Sequence, residues 1–173
     1  SIASGSANPS LLIVGAALFL IGLGFKVAAV PFHMWTPDVY QGAPTAVTAF
    51  MSAGAKAAGF AALLRVFTIA FPSISADLSP VLWIISAVTM FAGNIIAIAQ
   101  TNIKRMLAYS TISHMGFVLL GILSASDNGF SAAMFYILIY VLTTLVSFGM
   151  IMALSREGFE SENLDDFKGL NQR

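Results

Sequence analysis

The chain has 173 residues, of which 58% are hydrophobic and 9% charged, with a mean hydropathy of +0.87 and no cysteine. A soluble domain carries about a quarter charged residues and a disordered one is polar and highly charged, so both classes are excluded in favour of an integral membrane polypeptide. Eight basic residues balance eight acidic ones, which offers nothing to a nucleic acid, and without cysteine there is no disulfide, thiolate–zinc or protein-bound iron–sulfur site.

Turn signals divide residues 1–155 into five spans of about 20 apolar residues, the length that crosses a hydrocarbon core of about 30 Å. The prediction is therefore an all-α, polytopic transmembrane helix bundle. The first span covers 10–35 and is expected to be discontinuous, because Gly22, Gly24 and Pro31 interrupt it. The second, 44–70, opens on Pro44, a residue suited to a first helical turn. Residues 71–79, with Pro72 and Asp77, form a connector to the third span at 80–99. A polar hinge at 100–105 leads to the fourth, 106–123, and a turn at 124–129 leads to the fifth, 130–154.

Residues 156–173 hold half of all the charges and form a polar loop whose acidic part, Glu157 to Asp166, is expected to be solvated. The start has no basic segment followed by a cleavage site, so no cleavable signal peptide is expected. The missing initiator Met and the abrupt end at Arg173 suggest a piece of a longer protein. Lys104, Arg105, Arg156, Lys168 and Arg173 all fall on one side of a five-span bundle, and the connectors on the other side have no Lys or Arg. The positive-inside rule then puts residue 1 outside and Arg173 in the cytoplasm.

Lys26 and Lys56 lie inside predicted spans, where a lysine at helix centre costs about 2.5–3.5 kcal/mol and normally faces a protein interior or a wet cavity. At about 1.5 Å per residue, both come about 15–18 Å from the cytoplasmic edge, and His114 about 14 Å. Low dielectric disfavours a charged ammonium, and a neighbouring charge shifts the balance again, so such groups can exchange protons with one another. Pro31 and the glycines add a broken helix, which at membrane depth requires protein or cavity water to satisfy the freed backbone and often marks an ion site. The competing readings are plain. Either lysine can snorkel to an interface, His114 can be a packing residue among Ser110, Thr111 and Ser113, and Pro31 can be a simple kink. Arg65, near the outer end of its helix, is expected to snorkel. His33 and His114 have no carboxylate in a ligand-like pattern, so no metal site is expected.

The stretch Gly24-Phe25-Lys26-Val27-Ala28-Ala29-Val30-Pro31-Phe32-His33-Met34-Trp35-Thr36-Pro37-Asp38 resembles a signature of the antiporter-like proton-translocating subunits of respiratory complex I, NADH:quinone oxidoreductase. Its continuation, Val39 to Thr45, looks like the N (subunit 2) branch of that family. Gln100 to Gly116, with Lys104-Arg105-Met106-Leu107-Ala108-Tyr109-Ser110, is similar to the family's second signature. Leu164 to Arg173 resembles the cytoplasmic loop before a further helix.

The resemblance implies the seventh to eleventh helices of a fold of about fourteen, with a proton relay through Lys26, Lys56 and His114 and with polar lining from His33, Tyr109, Ser110 and Ser113. The family's glutamate on the fifth helix and lysine on the twelfth lie outside this sequence, so the fragment alone is not expected to pump. The implied setting is a bacterial inner membrane, beside other membrane subunits that include sister antiporter-like ones. No cofactor is expected on this chain; NADH, FMN, iron–sulfur clusters and quinone would belong to other subunits. A subunit of a multisubunit Na+/H+ antiporter and a non-translocating membrane scaffold remain as alternatives.

Overall fold

The computed structural model describes residues 9–69, 75–155 and 160–170. The expectations for residue 1, for Arg156, Glu157 and Arg173, and for residues 71–74 of the first connector lie outside the described residues. Among those described, the elements are α1 (Pro9–Val27), α2 (Trp35–Gly42), α3 (Thr45–Phe50), a π turn (Met51–Ala55), α4 (Lys56–Ile69), α5 (Ser75–Ile98), α6 (Ile103–Leu123), α7 (Asp127–Leu154) and a 3-10 turn (Leu164–Phe167). The segments Thr45–Ile69, Leu78–Ile98, Ile103–Leu123 and Asp127–Leu154 are long and apolar enough to cross a membrane, and Ile13–Val27 is a shorter apolar helix.

Several expected boundaries shift. The first span does not break at Gly22 or Gly24, and α1 runs through both to Val27. Glycine costs a helix only about 1 kcal/mol, which packing offsets, and the ring of Phe32 packs close over Gly24, where a Cβ would come 3.0 Å from its Cδ2. The break comes at Ala28, whose φ of 64° no α-helix tolerates, and continues past Pro31, which follows a cis peptide bond. Residues 36–43, expected as a connector, are mostly helical as α2. Pro80 sits inside the first turns of α5 instead of opening it. Asn102 and Ser126 cap α6 and α7 by accepting bonds from Arg105 N and Gly129 N, so those helices start earlier than hydropathy alone suggests.

α5 and α6 pack in close contact through small residues. A Cβ on Gly93 would come 2.6 Å from Ser113 N, and one on Gly116 would come 2.6 Å from Met90 Cγ. Ser86 Oγ donates to Gly116 O at 2.7 Å and Ser113 Oγ to Met90 O at 3.2 Å. Backbone proximity plus interhelical hydroxyl bonds is how helices associate where lipid removes the hydrophobic drive. Around this pair, Phe60 and Leu63 of α4, Leu82 of α5, Met115, Val118 and Leu119 of α6, and Ile137 and Tyr140 of α7 form the larger apolar core. A second cluster gathers Tyr40, Ala49, Ala108, Phe148 and Ile151. The outer faces of α5 and α7 expose Trp83, Phe91, Ile95, Phe135, Leu142 and Val146, a surface suited to lipid or other membrane helices.

The acidic loop, expected to be solvated, is in its 160–164 part docked on the bundle, and Lys104 of the expected polar hinge is buried. Ile103 N donates to Glu162 O at 2.6 Å and Leu164 N to Thr101 O at 2.9 Å, so residues 160–164 lie along the start of α6. Lys104, 1% exposed, reaches Glu162 at 2.8 Å, Glu160 at 3.3 Å and the carbonyl of Ala43 at 2.8 Å. A buried ammonium needs such partners, and only a segment distant in sequence supplies them.

Candidate functional site

The helix break sets the site. Where α1 ends, its last carbonyls lose their helical donors. Ala29 N bonds Gly24 O at 2.9 Å and Trp35 Nε1 bonds Phe25 O at 2.9 Å. Val27 O faces Lys56 Nζ at 3.5 Å. Val30 N is held by Thr89 Oγ1 of α5 at 3.0 Å. Backbone groups freed at the break thus find partners within the protein, and Ala28 and Ala29 are buried, whereas Pro31 and Met34 are exposed. The negative end of the α1 dipole also points toward an ammonium.

Lys56 is 2% exposed. Its Nζ lies 5.6 Å from the ring centre of Tyr40 and 5.9 Å from that of Trp35, within cation–π range. Among the described residues no carboxylate is within ion-pair distance of it. The π turn sits immediately before this residue, and such turns recur at functional sites.

Lys26 is exposed, its stem lying over Gly59, where a Cβ would meet Lys26 Cγ at 3.3 Å. It flanks the same break as Lys56 but is not enclosed with it. His114 is half-buried and joins a second polar group. Its Nδ1 is 2.7 Å from Tyr136 Oη, and its ring lies 5.3 Å from that of Tyr140. Tyr140 donates to Thr111 Oγ1 at 2.9 Å, and Thr111 donates to Leu107 O. A cavity of about 140 Å³ is lined by Ser110, His114, Tyr140, Thr143, Thr144 and Ser147 among others. Phe148, on its wall, meets Tyr40 edge to face at 6.4 Å. Tyr40, under the Lys56 ammonium on one side and against Phe148 on the other, thus links the Lys56 and His114 groups.

The other expected lining residues separate. Ser110 lines the His114 cavity, whereas Ser113 is spent on the α5–α6 contact. Tyr109 carries the guanidinium of Arg105, 6.0 Å away, and Arg105 pairs with Asp38 at 2.6 Å. His33 lies in the break with its Nδ1 buried and without a hydrogen bond of good geometry. Sequence reasoning missed Tyr40, Tyr136 and Tyr140, and gave Thr111 only as a neighbour of His114. The i, i+4 spacing of Tyr136 and Tyr140 on α7 was the available signal. No group of three metal-ligating side chains occurs among the described residues.

A bundle of apolar helices enclosing a broken helix, a π turn and a buried lysine defines a polytopic membrane protein with a polar interior. The sequence profile of the NADH:quinone oxidoreductase/Mrp antiporter transmembrane family matches residues 2–173, and the chain belongs to that family. It is 56% identical over 180 residues to NADH-quinone oxidoreductase subunit N of Herminiimonas arsenicoxydans, covering 99% of this chain and 36% of the relative. It is 54% identical over 173 residues to the subunit N of Laribacter hongkongensis, covering 100% and 36%. The chain therefore spans about a third of the length of the curated relatives it matches.

Among solved structures, respiratory complex I from Thermus thermophilus with bound aureothin aligns with a TM-score of 0.79 and 39% identity over 97% of this chain and 36% of that one. The membrane-bound sulfane sulfur reductase, an archaeal respiratory membrane complex, aligns at 0.84 and 30% over 94% and 33%. The Mrp complex from Dietzia sp. DQ12-45-1b aligns at 0.76 and 27% over 82% and 26%.

Proposed function

We propose that this chain is the middle portion of a proton-translocating membrane subunit of a bacterial NADH:quinone oxidoreductase. The observation that carries the reading is the Lys56 amine, enclosed at the end of a broken helix with no carboxylate beside it among the described residues. An ammonium without a fixed counter-charge changes its protonation when a neighbouring charge moves. Redox chemistry in another part of the complex would supply that movement, and the His114–Tyr136–Tyr140–Thr111 group would carry the proton onward. Lys26, exposed beside the same break, is assigned by this reading to the rest of the subunit, with sister membrane subunits beyond it. NADH, FMN, iron–sulfur clusters and quinone belong, on this reading, to other subunits. The five-to-zero distribution of Lys and Arg supports a cytoplasmic location for the 160–170 segment and an outer location for residue 1. The much higher identity to the subunit N relatives favours this reading over an Mrp-type antiporter subunit.

The test uses the full-length subunit in the intact complex. Lys56→Met, Lys26→Met and His114→Ala are expected to lower proton pumping per electron pair in membrane vesicles while the complex still assembles. Arg65→Ala, at an exposed site on α4, serves as the control. Pumping unchanged by Lys56→Met would overturn the proposal and favour a scaffold.

A further inference from the structure

Thr89 of α5 is wholly buried and reaches across to the helix break. Its Oγ1 accepts a hydrogen bond from Val30 N at 3.0 Å. In an unbroken helix that N–H would bond the carbonyl four residues back, on Lys26, and the turn at Ala28 takes this partner away. The other amides of the break stay local. Ala28 N bonds Phe25 O at 3.2 Å, Ala29 N bonds Gly24 O at 2.9 Å and Phe32 N bonds Ala29 O at 2.7 Å. Those bonds tie the segment to α1 and to itself, whereas the Thr89 bond ties it to another helix.

The segment needs such a tie. Ala28, at φ 64°, occupies the left-handed region that residues with a Cβ disfavour, so the bend is not its own preference. Beside it, Val27, Ala29 and Phe32 line a small void of about 30 Å³, closed by Leu63 of α4, Leu82 of α5 and Leu119 of α6 among others. Packing therefore leaves the segment room to shift, and the apolar walls offer nothing to Val30 N. α5 is a firmer base. A Cβ on its Gly93 would come 2.6 Å from Ser113 N of α6, and close backbone packing of this kind resists displacement.

Three residues before Val30, the carbonyl of Val27 faces Lys56 Nζ at 3.5 Å, the outer limit of a hydrogen bond. A contact at that limit is sensitive to position. A shift of about 0.5 Å inward makes a full bond, and the same shift outward leaves none. From α2 the ammonium meets the rings of Trp35 and Tyr40, so the placing of the break decides whether it also has an oxygen to bond.

We propose that Thr89 is a positioning residue for Lys56: by holding Val30 it fixes the Val27 carbonyl against the amine and so sets where the proton is held. The inference rests on Lys56 carrying protons, and Thr89 itself neither gains nor loses one.

Thr89→Val in the full-length subunit, within the intact complex in membrane vesicles, is the decisive variant. It keeps the shape of the side chain and removes the acceptor oxygen. Misplacing a reacting group by about 1 Å costs up to about a hundredfold in rate, so protons pumped per electron pair should fall nearly as far as in Lys56→Met. Thr89→Ser, which returns the oxygen, should restore pumping. The double variant Lys56→Met/Thr89→Val should pump no worse than Lys56→Met alone, because a residue that acts through Lys56 then has nothing to act on. Ser86→Ala is the structural control. One turn earlier on α5, it removes a buried bond to Gly116 O and should leave pumping per electron pair unchanged. Equal loss of pumping in Ser86→Ala and Thr89→Val overturns the inference in favour of helix packing, and a further loss in the double variant overturns it too. Wild-type pumping in Thr89→Val, with pumping lost in Lys56→Met, overturns the positioning role and leaves the carrier role standing. Wild-type pumping in Lys56→Met overturns both. Thr89→Ala takes the place of Thr89→Val if the latter does not assemble, and is read in the same way.

Discussion

Two lysines are almost wholly buried in this bundle, Lys104 at 1% and Lys56 at 2% exposure, and their surroundings are opposite in kind. Lys104 has carboxylates at 2.8 and 3.3 Å and a carbonyl at 2.8 Å, so its partners are tied to it. Lys56 has two aromatic rings and one carbonyl at 3.5 Å. The first arrangement ties the segment after α7 to α6 and to the α2–α3 turn. The second holds a charge loosely beside a broken helix. Burial by itself therefore does not tell the two lysines apart; the count of fixed counter-charges does, and replacing each lysine tests whether that difference is one of role.

The largest expected effect comes from Lys104→Met. Removing the ammonium leaves Glu160 and Glu162 facing each other and the Ala43 carbonyl unpaired. The cost should be about 2–3 kcal/mol, below that of a fully buried pair because both carboxylates stay partly in water. A thermal melt of the solubilised full-length assembly would show it as a lowered midpoint. An unchanged midpoint would make Lys104 no more structural than Lys56.

A smaller effect follows from pH. The hydrogen bond from Thr45, with the Lys104 ammonium adding to it, holds the Glu160 carboxyl below the usual carboxylate range. A depressed carboxyl contributes stability above its unfolded value of about 4.5 and loses it as pH falls through the lower folded value. Below pH 4.5 the docked segment should therefore loosen. After correction for intrinsic rates, exchange of the Ile103 and Leu164 amides, which bond Glu162 O and Thr101 O, should accelerate a few-fold. Glu160→Gln should flatten that dependence; a dependence that persists would assign it to another group.

The spans were legible because lipid demands long apolar runs and punishes charge, and the same rule exposed Lys56 as exceptional. The exact site of the break was not. Gly22 and Gly24 look like breakers in one dimension, yet α1 accepts both, and it is Ala28, an ordinary helix former, that takes the left-handed conformation. That choice is made by Thr89, Trp35 and Phe32, which are distant in sequence or lie beyond the break. The docking of Glu160 and Glu162 on Lys104 was hidden for a related reason, since charges in a polar loop look alike until one finds a buried partner. Tyr136 and Tyr140 were hidden on α7, where aromatic residues that face lipid and those that face His114 have the same hydropathy.

The smallest expected change in stability is the one that separates the two lysines most sharply. Lys56→Met removes one carbonyl contact at the limit of hydrogen-bond distance and two cation–π contacts. It also removes the cost of keeping an ammonium out of water, and a Met side chain regains sulfur–aromatic contact with Trp35 and Tyr40. These terms nearly cancel, so the melting midpoint should move by the equivalent of about 1 kcal/mol or less, in either direction. A buried charge that does so little for the fold is not explained by the fold. If Lys56→Met instead lowers the midpoint as far as Lys104→Met does, Lys56 is a structural charge like its counterpart, and the scaffold reading gains what the proton-carrier reading loses.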